Sequence, residues 1–463
     1  TWSANNLVDN VWGHYYEGIR AANFYLKETA GLTFDEWKYS DDYEAIMKEF
    51  TNYQYEVRFL RAYFYFELIK RYRNIPFVLD VLAQNEANGV NPESYEKIAK
   101  FIVDECSDLA QILPVNYDNF STKEKGRVTR AAAMALKSRV TLYMASPLFS
   151  EDSEDKWKQA AEAAYDIIKQ KTDLGLDLVP YPQIFNDVNN QKAEVILYRP
   201  TGESGDFEKA NFPIGVEGGK TSTCPTQNLM EAYDMKDGTP FVWNNQSNPY
   251  DNRDPRMKYT IVCNEMKWPV DPVEIWEGGT NGLPLQNATT TGYYLKKYVN
   301  NTISFEAGST VTKKQHNWVL FRYGEILLNY AEAMINAFHD PNYKDAVYNM
   351  SAREAVNQIR GRTNISLPGF PSDITEKDFV KRLKNERRVE LAFEGHRFWD
   401  VRRWKELGQT ANIYGVKITK NNEVISYEKF LLETRAVTDN MYFYPIPNTE
   451  RFKNPNLGQN PGW

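Results

Sequence analysis

The sequence is poor in cysteine and lacks long apolar runs, and each shortage excludes a class of protein. Three cysteines among 463 residues are too few and too scattered for a disulfide scaffold or a zinc site. We expect buried thiols, with a Cys224–Cys263 bridge as the alternative. No apolar stretch approaches the roughly 18 to 20 residues that span a membrane. Any membrane attachment is therefore expected to be covalent or through a partner.

Blocks of positive charge and catalytic motifs are also missing. The net charge is −7 and the sequence pI is about 5.5, and no long run of Lys or Arg offers a surface for phosphates. Nucleic acid is therefore excluded as an expected partner. The segment Gly215–Thr221 only superficially resembles a phosphate-binding loop, because it is one residue too short and Pro225 interrupts the helix that should follow. There is no nucleophile elbow and no dinucleotide fingerprint.

The most distinctive pattern is a segment near the C-terminus that is dense in charged and aromatic residues. It extends from Leu383 to Trp404, and on a continuous helix its Glu386, Glu390 and Glu394 would repeat at i, i+4 and i+8. We predict that these carboxylates form a structural ionic network, not a catalytic or metal site, with arginines of the same segment. The expected partners are Arg387, Arg388, Arg397, Arg402 and Arg403.

This segment resembles the C-terminal hallmark of the SusD/RagB family, the surface nutrient-binding lipoproteins of Bacteroidetes outer membranes. The resemblance is carried by Glu386-Arg387, Glu390-Leu391, Glu394-Gly395-x-Arg397, Trp399-Asp400 and Arg403-Trp404. Further segments match the same family in the same order, and together they cover most of the chain. They include Arg58–Leu68, Thr129–Tyr143, Asn252–Arg256, Arg322–Glu332 and Asn357–Arg362.

The resemblance implies a function and a location. Such a protein captures an oligosaccharide outside the cell and hands it to a SusC-like TonB-dependent transporter, without cleaving it. Family members begin with a lipoprotein signal and further helix, so we expect an N-terminal portion to precede Thr1. The chain is then expected at the outer membrane, on the cell surface, held only by a lipid anchor that lies outside this sequence.

Apolar periodicity divides the chain into three regions. Residues 1–172 show the three- and four-residue spacing of successive helices. Residues 173–320 are rich in Gly, Pro, Asn and Thr and predict a loop-rich insertion with short strands. Residues 321–463 return to helical spacing, with helices expected over 322–338, 343–360 and 378–404. The predicted fold is mainly α: stacked helix pairs, tetratricopeptide-like as the resemblance implies, form one body that carries the insertion.

The insertion is the predicted ligand-binding region, because loops on a rigid scaffold commonly carry function and because aromatic residues cluster there. An aromatic ring can cover the apolar face of a sugar, while charged and amide groups bind its hydroxyls. Trp268 and Trp276 are the leading candidates, since nearby Pro and Gly place them on loops, although for any one tryptophan a role in a small local core is favoured over a ligand platform. The candidate contacts are Trp268, Trp276, Trp243, Tyr250, Asp251, Arg253, Asn281 and Tyr293, with further amides at Asn244, Asn245 and Gln246.

Three alternatives remain open. Asp251 with Asn252–Arg256 offers oxygen ligands for a structural calcium ion, although a proline-fixed turn held by charge pairs is favoured, and no other cofactor is expected. The ligand is alternatively a peptide or another nutrient in the same transport role. A glycan-cleaving enzyme is the third hypothesis, since paired carboxylates at the required separation cannot be recognised in a sequence.

Overall fold

The computed structural model describes residues 2–122, 124–151, 153–244, 248–268, 271–306 and 312–463. These residues form two compact units. The first contains residues 1–175, 402–405 and 438–463, and the second contains residues 176–401 and 406–437. Of the three cysteines, Cys106 and Cys263 are buried, Cys224 is partly exposed, and all three are free thiols.

The described residues form helices and short strands as follows. The helices are α1 (Trp12–Glu28), α2 (Tyr43–Tyr72), α3 (Gln84–Ala87), α4 (Tyr95–Ile112), α5 (Arg130–Ala145), α6 (Glu154–Lys169), α7 (Asp206–Asn211), α8 (Gln227–Met230), α9 (Met257–Thr260), α10 (Tyr323–Phe338), α11 (Ala352–Arg360), α12 (Glu376–Glu390), α13 (Arg397–Arg403) and α14 (Asn448–Lys453). The strands are β1 (Ile75–Pro76), β2 (Pro92–Glu93), β3 (Val195–Pro200), β4 (Ile261–Val262), β5 (Tyr294–Leu295), β6 (Asn317–Arg322), β7 (Asn412–Asn421) and β8 (Val424–Thr434).

The first unit is a stack of helices. Helix α1 packs on α2, α2 on α4, α4 on α5, and α5 on α6. Helix α4 shows why the sequence predicts this arrangement, because its buried Ile98, Ile102 and Leu109 recur at helical spacing and lie on one face. Its N-terminus is fixed by Ser94, whose hydroxyl accepts a hydrogen bond from the Lys97 amide at 3.3 Å.

In the second unit, α10 packs on α11 and α12, and nearly all of α10 is buried. Two predicted helices are shorter than expected. The helix expected over 343–360 covers only Ala352–Arg360, where Ser351 and Glu354 form a capping box. The helix expected over 378–404 stops at Glu390, because Phe393 and Gly395 adopt φ angles of 60° and 78°, which a right-handed helix cannot contain.

The strands form four two-stranded antiparallel pairs, β1–β2, β3–β6, β4–β5 and β7–β8. The β7–β8 hairpin is the longest, and it lies in a region that the sequence analysis predicted to be helical. Its inward-facing Val416, Ile418 and Tyr427 join the core of the second unit. Apolar and polar residues alternate on both sides of Asn422, which forms the turn with a φ of 55°. This alternation is the sequence signal for the hairpin, and the helical periodicity of the neighbouring segments obscured it.

The prediction of a mainly α fold with only short strands is confirmed. Within the described ranges, no helix is both long enough and apolar enough to cross a membrane.

Candidate functional site

Two of the predicted ligand contacts, Trp268 and Tyr293, lie in the core of the second unit. Trp268 is 3% exposed and stands edge-on to Phe212, with the ring centroids 5.8 Å apart. Tyr293 is fully buried and donates its hydroxyl proton to Gln227 Oε1 at 2.6 Å. Rings enclosed in this way offer no face to a sugar, so both side chains act here as packing residues.

Arg253 and Asn281 are also buried, at 5% and 6% exposure, and their polar atoms bind the backbone. Arg253 Nη2 donates to the carbonyls of Met230 and Tyr233 at 2.7 and 2.6 Å. Burial lowers the pKa of Arg253 to about 10. Asn281 Nδ2 donates to the Ile214 carbonyl at 2.6 Å. Both side chains hold loops of the insertion together instead of facing solvent.

Trp276 is partly exposed at the edge of the same core. Lys420 of β7 lies over its ring, with Nζ 4.5 Å from the ring centroid. The loop that follows is held close to it, because the Gly279 amide donates to the Trp276 carbonyl at 2.9 Å. A Cβ at Gly282 would come within 2.2 Å of that carbonyl. The backbone at Trp276 is therefore closely packed by its loop, and its ring packs against the core while part of it reaches solvent.

Tyr250, Asp251 and Trp243 complete the accessible part of the predicted set. Tyr250 is partly exposed and stands edge-on to Tyr427 of β8, at 5.3 Å between ring centroids. Asp251 is exposed beside it, and Trp243 is partly exposed, with its ring edge-on to Phe241. The β7–β8 hairpin thus contacts both Trp276 and Tyr250. The amides Asn245 and Gln246 lie outside the described residues.

The segment considered for calcium is a charge-paired turn. Both oxygens of buried Asp254 are engaged by Arg256, whose Nη2 lies 2.7 Å from Oδ2. Among the described residues, no group of three or more His, Cys, Asp or Glu side chains is placed to hold a metal ion. The Asp254–Arg256 pair is a contact of the kind expected in a turn held by charge pairs.

The three glutamates of the C-terminal hallmark form a buried ionic network, but with other partners than predicted. Glu386 binds Arg360 at 2.7 Å, and Glu390 binds Arg362 at 2.8 Å. The remaining close contacts are Glu386–Arg256, Glu390–Arg256, Glu390–Arg322, Glu394–Arg322 and Glu394–Lys297. Within the hallmark segment, Arg387 instead binds Asp400 at 2.9 Å.

This network holds its carboxylates ionised. Burial opposes the charge on Glu390, but Arg362, Arg322 and Arg256 outweigh it and keep the pKa of Glu390 well below its usual range. Burial lowers the pKa of Lys297 to about 8 in spite of its contact with Glu394. Because every carboxylate here is occupied by cations, the network is structural and leaves no free acid or base for catalysis.

A cleft of about 440 Å³ opens elsewhere in the insertion. Tyr259 and Tyr298 supply aromatic surface to it, and Lys296, Asn300 and Thr302 supply polar groups. The Thr302 hydroxyl donates to Asn300 Oδ1 at 2.6 Å, and burial lowers the pKa of Lys296. This combination of aromatic and hydrogen-bonding groups suits a sugar ring.

Tyr259, Tyr298 and Trp318 belong to the aromatic residues of the insertion, but their positions in the sequence did not indicate that they lie together. Trp318 stacks on His316 at 5.2 Å and contacts Tyr298 at 4.9 Å, while His316 lines the cleft. The polar triplet Asn300-Asn301-Thr302, which begins two residues after Tyr298, is the signal in the sequence that could have indicated this cleft.

The family of the chain follows from matches between its sequence and models of known protein families. Residues 184–463, more than half of the chain, match the model of the SusD family. The chain belongs to the SusD family. Residues 1–142 match a second model, described as starch-binding and associating with the outer membrane. The resemblance carried by the hallmark segment is thereby confirmed.

Individual SusD-like proteins match the chain over almost its whole length. The SusD-like protein P2 of Formosa agariphila is 23% identical, over 99% of this chain and 81% of that protein. A SusD-like carbohydrate-binding protein of Bacteroides fragilis has a TM-score of 0.80 and 26% identity, over 99% of this chain and 87% of that one. Surface glycan-binding protein A of Bacteroides uniformis, 19% identical with a TM-score of 0.67 over 99% and 86% of the two chains, shares the fold.

Proposed function

We propose that this chain captures an oligosaccharide at the cell surface and delivers it to a SusC-like TonB-dependent transporter. The observation that carries the proposal is the SusD-family match over residues 184–463. The carbohydrate-binding relative of Bacteroides fragilis supports the ligand class. The description of the second matched model supports a location at the outer membrane, where a lipid anchor would hold the chain.

Within the predicted site, burial separates packing residues from accessible ones. Trp276, Trp243, Tyr250 and Asp251 keep exposed surface and are the residues we propose to contact the glycan directly. Trp276 is the strongest of them, because its ring is held in place and loses little conformational entropy on binding. Trp268, Arg253, Asn281 and Tyr293 support this surface from beneath, as their core and backbone contacts suggest.

The cleft beside Tyr259 is the second proposed contact region. Its aromatic and amide groups offer the same chemistry in a concave shape, which excludes water from more of the ligand than an open surface does. No catalytic role is proposed for it, and the working hypothesis remains binding without cleavage.

The experiment is a binding screen against plant and host oligosaccharides by calorimetry, with product analysis to detect cleavage. We expect Trp276→Ala to weaken binding about five- to thirtyfold, because loss of a stacking ring removes roughly 1 to 2 kcal/mol. Trp37→Ala is the matched control, since Trp37 is 52% exposed but lies in the first unit. It should bind like the unaltered chain.

Three outcomes would change the proposal. Loss of binding in Tyr259→Ala with full binding in Trp276→Ala would move the site to the cleft. Release of shorter products from a polysaccharide would restore the enzyme hypothesis. Binding of peptides, with no glycan of the panel bound, would replace the ligand class while retaining the transport role.

The delivery step is tested separately. We expect the anchored, tagged chain to co-purify from its own cells with a TonB-dependent transporter, identified by mass spectrometry. Recovery of the chain without any such transporter under mild detergent would contradict the proposed partner.

A further inference from the structure

Arg388 is the exception among the arginines of helix α12. It is partly exposed, and within the described ranges no carboxylate forms an ion pair with its guanidinium. Its neighbour Arg387, by contrast, binds Asp400 and Asn329 at 2.9 and 2.8 Å. Burial, together with the charge of Arg397, lowers the pKa of Arg388 to about 10. A partly buried cation without a counter-ion is a group that an incoming anion would stabilise.

Arg388 lines a groove of about 830 Å³ in the second unit. We call it the Arg388 groove. Helix α12 supplies Lys384, Asn385 and Arg388 to its wall, and Phe241 and Pro240 supply apolar surface. Arg397 and Gln409 line the same groove, and Arg397 Nη2 donates to Gln409 Oε1 at 3.0 Å.

Three of the five acidic residues that line this groove have other cationic partners. Glu406 binds Lys384 at 2.5 Å. Glu231 binds Lys429 at 2.8 Å, and Asp234 lies 3.3 Å from Arg360. Because these carboxylates are already paired, they do not neutralise Arg388, and the groove keeps an excess of positive charge beside that side chain.

We infer that the Arg388 groove binds the acidic group, a carboxylate or a sulfate, of a negatively charged sugar. A guanidinium matches both groups, because each presents two oxygens in the spacing of its paired N–H donors. Phe241, which is partly exposed, offers an apolar surface next to the sugar ring. The inference rests on the proposed function only in taking a carbohydrate as the ligand.

The groove differs from the surfaces proposed above. It shares no lining residue with the cleft at Tyr259, and it does not include Trp276. A chain could therefore bind neutral glycans without using Arg388, or bind acidic sugars without using Trp276. This separation keeps failure of the inference distinguishable from failure of the proposed function.

The test measures binding of four probes by calorimetry at low ionic strength: glucuronate, glucose 6-sulfate, glucose and inorganic sulfate. We expect the two acidic sugars to bind more tightly than glucose. Arg388→Gln should weaken their binding about tenfold or more and leave the binding of neutral oligosaccharides unchanged. Arg435→Gln is the matched control, because Arg435 is half exposed and paired with Glu433.

Two further measurements make the test decisive. Lys296→Gln removes one of the two lysines that line the Tyr259 cleft, and it should leave the binding of acidic sugars intact. A triglutamate peptide tests the competing class of ligand, and it should bind no better than glucose. Far-ultraviolet circular dichroism of each variant establishes that it is folded.

The inference is overturned by any of four results. These are equal binding of acidic sugars and glucose, full binding of acidic sugars in Arg388→Gln, loss of that binding in Lys296→Gln instead, and stronger binding of triglutamate than of either acidic sugar. Binding of inorganic sulfate without either acidic sugar would show an adventitious ion only, and it would equally overturn the inference.

Discussion

The two sides of helix α12 differ in whether their charged side chains form ion pairs. On one side, Glu386 and Glu390 are buried, and each contacts at least two arginines. On the other, Arg388 faces a groove and has no ion-pair partner among the described residues. Buried charges that satisfy one another fix a structure, whereas a charge left without a partner costs stability and remains available for a ligand. The same helix therefore serves both stability and, on our inference, binding.

The largest effect on stability is expected from acid, which should protonate the buried glutamates and so break their ion pairs with the arginines. The pKa values of Glu386, Glu390 and Glu394 lie below their ordinary value of 4.5 in the folded chain. Since these folded pKa values are depressed, the stabilisation is complete above pH 4.5 and is lost as the pH falls through them. We expect the urea midpoint to be steady from pH 7 to 5 and to fall steeply below 4.5.

In the first unit, Glu67 should make the acid-induced loss of stability continue to lower pH. Burial opposes its ionisation, but Lys70 and Arg71 lower its pKa to about 2. A shift of that size corresponds to roughly 3 kcal/mol of stability. A urea midpoint that stays constant down to pH 3 would show that these carboxylates are not held ionised by their neighbours.

Removal of one network carboxylate should have the next largest effect. Glu390→Gln leaves Arg256, Arg322 and Arg362 buried with less negative charge, and breaking a buried network of this kind costs about 3 to 5 kcal/mol. Urea denaturation at pH 7 measures this loss in the free energy of unfolding. Glu423→Gln is the control, because the Glu423 side chain is 96% exposed, and a similar loss in both variants would contradict the comparison.

A smaller effect is expected at Arg387, which is paired like the network arginines. Arg387→Lys keeps the charge, but a single ammonium group cannot reach Asp400 and Asn329 in the geometry of the guanidinium. We expect a loss of about 1 to 2 kcal/mol in the free energy of unfolding. Arg388→Lys should change stability little, so equal losses at the two positions would remove the distinction between them.

The smallest effect is expected at Arg388 itself. Arg388→Gln removes a partly buried charge that has no ion pair to lose. The free energy of unfolding should therefore fall by less than about 0.5 kcal/mol, or rise slightly. Urea denaturation in a buffer free of sulfate and phosphate checks this. A loss above about 2 kcal/mol would mean that Arg388 supports the fold, and it would refute the contrast on which the groove inference rests.

Local patterns in the sequence predicted the helices better than they predicted the partners of charged residues. The spacing of Ile98 and Ile102 defines the buried face of α4, and Ser94 marks its start, because both signals are local. The repeat of Glu386, Glu390 and Glu394 correctly indicated an ionic network. Its cations, however, come from distant segments, and no local pattern specifies which residues a fold brings together.

The predicted binding region shows the same limit. Aromatic clustering located the insertion, but it could not separate Trp268, which is 3% exposed, from Trp276, which reaches solvent. Proline and glycine next to both residues indicate loops, and loops pack against a core as readily as they face water. The break of α12 after Glu390 was missed because Phe393, a bulky residue, adopts a positive φ that usually requires glycine.

The distant origin of the network arginines also constrains the order in which the chain folds as it is synthesised. Arg256 is made 130 residues before Glu386, and Arg322 is made 68 residues before Glu390. Until the C-terminal segment is synthesised, Arg256 and Arg322 lack these carboxylates, and contacts this far apart in sequence form slowly. We therefore expect the core around these two arginines to close only after the hallmark segment has been synthesised.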